Sequence, residues 1–215
     1  MGRTPIVAGG TGLYLRAALV ELDFPHEVPA AVRRDVERLV DTDRDSAIAE
    51  LQARAPEVAD RIDRHNPRRI VRALELARTG AHQPPAARLW TGLTRHPTRL
   101  IGLVRPRPTL DRLIAQRVRR ELEDGLVAEL EAALSTPGLS RTARQVIGVR
   151  EVEALRDGTL APPDLADVLA ARTRRLARAQ LTWLSKTPVA VELDLGDGPA
   201  ESALPRLLAL WQDRA

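Results

Sequence analysis

The segment Pro5-Ile6-Val7-Ala8-Gly9-Gly10-Thr11-Gly12-Leu13-Tyr14-Leu15 runs from a short apolar stretch through three glycines into a helix start. A strand that ends in glycines and turns into a helix offers free backbone N–H groups to an anion, and glycine lets the backbone come close to it. Thr11 would place a hydroxyl beside that anion. No Lys-Ser/Thr follows, so this is not a Walker-type loop, and the glycine spacing does not fit the dinucleotide fingerprint. A tight strand–helix turn with no ligand fits the same residues.

The second chemistry-bearing feature is arginine. Lys+Arg number 33 against 29 Asp+Glu, for a net charge of +4, and Lys186 is the single lysine. Arginines cluster at 68–72, 105–120, 141–150 and 172–178. The planar guanidinium pairs with phosphate oxygens two at a time, which suits nucleic acid. Solvated helix faces with i,i+4 pairs to Glu and Asp are the competing reading. In Arg68-Arg69-Ile70-Val71-Arg72-Ala73-Leu74-Glu75, Arg68 and Arg72 lie one turn apart with Arg69 beside them. Ile70, Val71 and Leu74 face inward. Such a helix can lie on a phosphodiester backbone, or Arg72 can pair with Glu75. Arg117 sits beside the apolar stripe of Ile114 and Val118, so it pairs with a carboxylate or faces an anion. In Thr173-Arg174-Arg175-Leu176-Ala177-Arg178-Ala179-Gln180-Leu181-Thr182-Trp183, Arg174 and Arg178 share a face with Trp183 roughly nearby. Arg, Gln and an indole together suit RNA, while a core anchor is the plainer role for Trp183.

Other chemistries find little support. There is no Cys, so disulfides and Cys-ligated zinc are excluded. His26, His65, His82 and His96 form no metal-ligand pair of standard spacing, and no metal-binding residue is assigned. No apolar run approaches the roughly 18 residues of a membrane span, and no signal peptide stands out. A cytoplasmic protein without membrane contact is expected.

The elements that must position these residues read as follows. Residues 5–8 form a buried strand and Leu13–Val20 a helix. Helices follow over 29–40, 44–54, 57–64 and 67–79, the last bounded by an Asn66-Pro67 start and a Gly80 stop. Residues 81–98 are irregular. Leu100–Val104 is a strand, Thr109–Leu134 one long helix, and further helices lie near 142–156 and 163–185. Val189–Leu193 is a last strand and Ala200–Trp211 a last helix. Three short strands among helices imply a parallel sheet, and the helical block at about 27–97 reads as an insertion. Phe24 and Tyr14 are the only Phe and Tyr, so Leu, Ala and Val must fill the core.

Five segments, in order, resemble the tRNA dimethylallyltransferases, also called tRNA isopentenyltransferases. They are GRTPIVAGGTGLYLRAALVELDFP, NPRRIVRALELARTG, LIAQRVRRELEDGLVAEL, TARQVIGVREV and TRRLARAQLTW. The resemblance implies transfer of a dimethylallyl group from its diphosphate to N6 of an adenine next to the anticodon, with Mg²⁺. It implies an α/β fold: a partial P-loop-NTPase-like parallel sheet with helices over 1–26 and 98–215, plus an inserted all-helical subdomain over 27–97 that grips the tRNA anticodon stem-loop. By motif, Thr11 falls at the reaction centre, and Gly9, Gly10, Gly12 and Arg117 at the diphosphate. Arg33, Arg68, Arg69 and Arg72 fall on tRNA from the insertion. Thr142 and Gln145, with Thr173, Arg174, Arg178 and Gln180, line the RNA channel from the core. A monomer is expected. The family's GPTASGK[ST]-type loop and its Asp-Ser segment have no counterpart here, so the Mg²⁺ ligands and the base are expected in a preceding part of the core. A non-catalytic RNA-binding remnant is the alternative this leaves. Val149 stands where the family usually has Tyr, Ala179 where it has Arg, and Ala115-Gln116 where it has Asp and a basic residue.

Overall fold

The structure is a computed structural model, and it describes residues 5–21, 27–80, 92–140, 142–189 and 191–212. The expected irregular stretch lies outside the described residues from 81 to 91, as does most of the linker before the helical block. The chain divides into two compact units, residues 20–91 and residues 1–19 with 92–215.

The first of these units is all-helical among its described residues: α2 (Ala30–Thr42), α3 (Arg44–Arg54), α4 (Pro56–Arg61) and α5 (Pro67–Thr79), following α1 (Gly12–Leu19) in chain order. Local signals set the boundaries. Asp43 accepts from Ser46 N–H at 3.0 Å and starts α3; Asn66 caps α5 ahead of Pro67, and Gly80 ends it at φ 65. Val36 and Val40, Ala47 and Leu51, Ala59, and Ile70, Ala73 and Leu74 form one core. α2, α3 and α5 each supply residues three or four apart and so turn one stripe inward, while α4 adds Ala59.

The other unit holds α1, β1 (Ile101–Val104), α6 (Arg107–Glu123), α7 (Leu126–Ser135), α8 (Val149–Arg156), α9 (Leu165–Lys186), β2 (Val191–Asp194) and α10 (Leu204–Gln212). β1 and β2 pair in parallel, with Ile101 opposite Val191 and Leu103 opposite Leu193. Parallel neighbours need a long crossover, and α6 to α9 supply it. Ile114 and Val118 of α6 bury against Leu165, Leu169 and Ala170 of α9. Leu130 of α7 packs with Val149 and Val152 of α8. The fold is therefore mostly helical with a small parallel sheet.

Two expectations need correction. Residues 5–8 are not a buried strand: they carry no regular structure, and Ile6 is 79% and Val7 58% exposed. A strand exists by exchanging backbone hydrogen bonds with a neighbour, and among the described residues β1 and β2 pair only with each other. The long helix from 109 to 134 is two helices, because Gly125 takes φ 98 between α6 and α7. The apolar series Leu122, Leu126, Leu130 continues across the break, so periodicity conceals it. Among the described residues, no helix is long and apolar enough to cross a membrane.

Candidate functional site

The glycine turn is built against α9. Thr11 caps α1 through its backbone, its carbonyl accepting from Tyr14 N–H at 3.0 Å and Leu15 N–H at 3.1 Å. A Cβ on Gly10 would stand 2.5 Å from Gln180 Nε2, and one on Gly12 would stand 2.4 Å from Trp183 Cε3. Neither is a tolerable distance. Close approach to the Trp183 ring thus explains Gly12; at Gly10 the neighbour is the movable end of the exposed Gln180 side chain, and Gly9 has nothing nearer than 3.8 Å. Thr11 itself is exposed, held between two residues that touch α9. The structure so brings Gly10, Thr11 and Gly12 together with Gln180, and adds Trp183.

On α9 the remaining expected residues divide. Thr173, seven residues before Gln180, lies two turns away on the same side; its hydroxyl donates to the Leu169 carbonyl at 2.9 Å. Arg178 is two residues from Gln180, about 200° round the helix at 3.6 residues per turn. Arg174 shares the Arg178 side, and neither makes an ion pair among the described residues. Trp183 does not share their face; it covers Gly12. The segment before α8 is tied to α9 by a residue that sequence reasoning passed over. Glu151, buried, accepts from Gly148 N–H at 3.0 Å and from Arg172 Nη1 at 2.5 and 2.8 Å. Its signal was weak: a Glu three residues after Gly148 can make only the backbone-accepting half of a capping box, since glycine has no side chain to complete it. Thr142 is exposed and Gln145 half-buried on this anchored segment.

Arg117 is not at a core edge. Its side chain is 76% exposed and pairs with Glu121, one turn along, at 2.7 Å. The periodic stripe placed its neighbours inward and left Arg117 in water. Arg16, which no motif singled out, is buried on α1, and burial lowers its pKa. It forms one wall of a shallow cleft of about 190 Å³ with Leu19, Thr94, Thr98 and Leu100.

In the helical unit, Arg68 and Arg69 are exposed on the first turn of α5. Arg72 Nη1 donates to Glu75 Oε2 at 3.1 Å, and Arg33 of α2 lies 3.7 Å from the other Glu75 oxygen. Ile70 and Leu74 are fully buried beneath them, as the periodicity requires. Glu75 is buried too, which the pattern alone does not predict for a carboxylate.

Among the described residues no group of three or more His, Asp or Glu side chains could hold a metal ion. A magnesium site needs carboxylate or other oxygen ligands converging on one point, so these residues do not fit one and no step is assigned to the ion.

The profile of a family described as IPP transferase matches residues 1–187. A tRNA dimethylallyltransferase of Bifidobacterium adolescentis is 39% identical over 184 residues, covering 86% of this chain and 54% of its own length. One from Thermobifida fusca is 40% identical over 190 residues, covering 87% and 59%. The chain spans about half the length of the curated relatives it matches. Among solved structures, the tRNA delta(2)-isopentenylpyrophosphate transferase of Staphylococcus epidermidis superposes with a TM-score of 0.59 at 25% identity, over 98% of this chain and 70% of its own. A eukaryotic dimethylallyltransferase acting on tRNA gives 0.68 at 22% identity, over 96% and 56%, a likeness of fold.

Proposed function

The chain belongs to the IPP transferase family, and on that premise we propose that it serves dimethylallyl transfer from dimethylallyl diphosphate to N6 of an adenine beside the tRNA anticodon. In that reaction the exocyclic amine forms a bond to the allylic carbon. The carbon–oxygen bond to the diphosphate breaks, the diphosphate leaves as an anion, and one amine proton goes to a general base. By the resemblance, the base is the Asp of the Asp-Ser segment; none of the described residues takes that part. What this chain contributes is binding and placement. The observation that carries the reading is the seating of the turn on α9, with Gly10 against Gln180 and Gly12 against Trp183. It supports a role for Thr11, which stands in the chain between two glycines seated on an amide able to read a base edge and an indole able to support a flat ring.

In this proposal the backbone N–H groups at Gly9–Gly12 and the α1 start favour the leaving diphosphate. Arg117 turns from Glu121 to the same anion; both partners are exposed, so the exchange costs little. Arg33, Arg68, Arg69 and Arg72 neutralise RNA phosphates, and Thr142, Gln145, Thr173, Arg174 and Arg178 add contacts from the other unit. The protein works as a monomer in the cytoplasm.

A version extended upstream by a GPTASGK[ST]-type loop and an Asp-Ser segment, incubated with Mg²⁺, tRNA and dimethylallyl diphosphate, should yield N6-dimethylallyladenosine by nucleoside mass spectrometry, and the chain itself should bind tRNA in a salt-sensitive way. Absence of product from the extended version, together with absence of salt-sensitive tRNA binding by the chain, would overturn the proposal. In that extended version Thr11→Ala should lower single-turnover rate far more than tRNA affinity, and equal losses would remove Thr11 from the reaction centre. Arg117→Ala should chiefly raise KM for the allylic diphosphate.

A further inference from the structure

Glu75 is the buried acid of the helical unit, its side chain 3% exposed. One oxygen accepts from Arg72 Nη1 at 3.1 Å. The other has no hydrogen bond among the described residues and lies 3.7 Å from Arg33 Nε, reached from α2. Both arginines reach solvent, Arg33 at 63% side-chain exposure and Arg72, half-buried, at 43%. Arg33 Nε also reaches Glu37 at 3.4 Å. One carboxylate, sealed beneath, thus lies between two guanidinium groups that open to solvent.

Stability does not account for this arrangement. Removing a carboxylate from water is costly, and an apolar side chain of similar volume commonly serves as well or better. Ile70, Ala73 and Leu74 show that apolar residues fit the surrounding core. What a carboxylate does and a leucine cannot is hold two like charges close and fix the planes of their forks. Each guanidinium has five N–H donors, and Glu75 occupies few of them. The rest remain available in a geometry suited to the oxygens of a phosphodiester.

We propose that Glu75 is a positioning residue, which holds Arg33 of α2 and Arg72 of α5 as a paired clamp for an RNA backbone phosphate. This rests on the RNA-binding reading of the helical unit given above. The sign of one substitution tests it. Glu75→Gln removes a negative charge from beneath the surface, so simple electrostatics predicts tighter RNA binding. Loss of positioning predicts the reverse.

The test is filter binding of the full chain to an RNA stem-loop at several salt concentrations, with circular dichroism to confirm folding. Glu75→Gln should weaken binding about tenfold, the worth of one charge-assisted hydrogen bond. The slope of log affinity against log salt should fall by about 1, the share of one phosphate contact. In an Arg33→Ala, Arg72→Ala background, Glu75→Gln should change nothing further. Binding by folded Glu75→Gln equal to or tighter than that of the unaltered chain overturns the inference and leaves RNA binding standing. Should Glu75→Gln not fold, Arg72→Lys decides: it keeps the charge and loses the planar fork, so affinity should drop several-fold, and unchanged affinity overturns the clamp. Absence of salt-dependent RNA binding by the unaltered chain overturns the RNA reading itself, and the inference with it.

Discussion

Gly12→Ala probes the contact on which the candidate site is built. The added Cβ would stand 2.4, 2.6 and 2.8 Å from three carbons of the Trp183 ring. Carbon atoms rest comfortably about 3.5–4.0 Å apart, so the overlap exceeds about 1 Å. It falls on a half-buried ring, not on the tip of a flexible chain. Overpacking of this kind costs about 1–3 kcal/mol. Against it stands the better helix propensity of Ala, at most about 1 kcal/mol and less at the first residue of α1. The net expectation is destabilisation of about 1–2 kcal/mol, or about 2–8 °C in Tm for a domain of this size. Urea denaturation followed by circular dichroism measures it. Two neighbours supply controls. Gly9→Ala meets nothing closer than 3.8 Å and should stay within about 0.5 kcal/mol of the original. Gly10→Ala meets the movable Gln180 amide, so it should disturb that side chain more than the fold. A Trp183→Leu background should relieve most of the Gly12→Ala cost, a coupling that a double-mutant cycle reads directly. Equal stability of Gly12→Ala and Gly9→Ala would refute the close seating of the turn on α9.

Two further outcomes follow from buried or paired carboxylates. Glu50 accepts from Arg78 at 2.6 and 2.9 Å and from Arg54 at 2.7 Å; the Arg78 hydrogen bonds chiefly hold its pKa below the usual 4.5, against a smaller opposing effect of burial. The folded state therefore favours the charged form. The stability it adds is complete above about pH 4.5 and is lost as pH falls through the lowered folded value. Glu50→Gln should flatten the acid limb of a stability–pH curve in that window. Glu151→Ala should cost about 3 kcal/mol in urea denaturation, because it strands the Arg172 guanidinium and the buried Gly148 N–H; a loss under about 1 kcal/mol would show that the segment before α8 is held otherwise.

The helices were largely written in local sequence. α5 begins and ends where Asn66-Pro67 and Gly80 say it should, and α3 covers the span 44–54 read from sequence, since helix hydrogen bonds join residues four apart and caps act within a turn. The inward stripe of α5 followed from spacing alone. Tertiary structure decided the rest. It denied residues 5–8 a strand, because strand pairing depends on a distant partner that no local run of apolar residues can supply. It broke α6 from α7 at Gly125 under an uninterrupted apolar series. Most of all, it decided why Gly12 is glycine and what Gly10 faces. Their sequence suggests room for an anion, while the structure shows room for Gln180 and Trp183, residues about 170 positions away in the chain. The same holds for Glu75, whose place between Arg33 and Arg72 depends on the packing of α2 on α5. Composition and spacing determine which side chains an element presents, but a close approach between elements is settled only when both are packed, because the excluded volume at each position belongs to its neighbours.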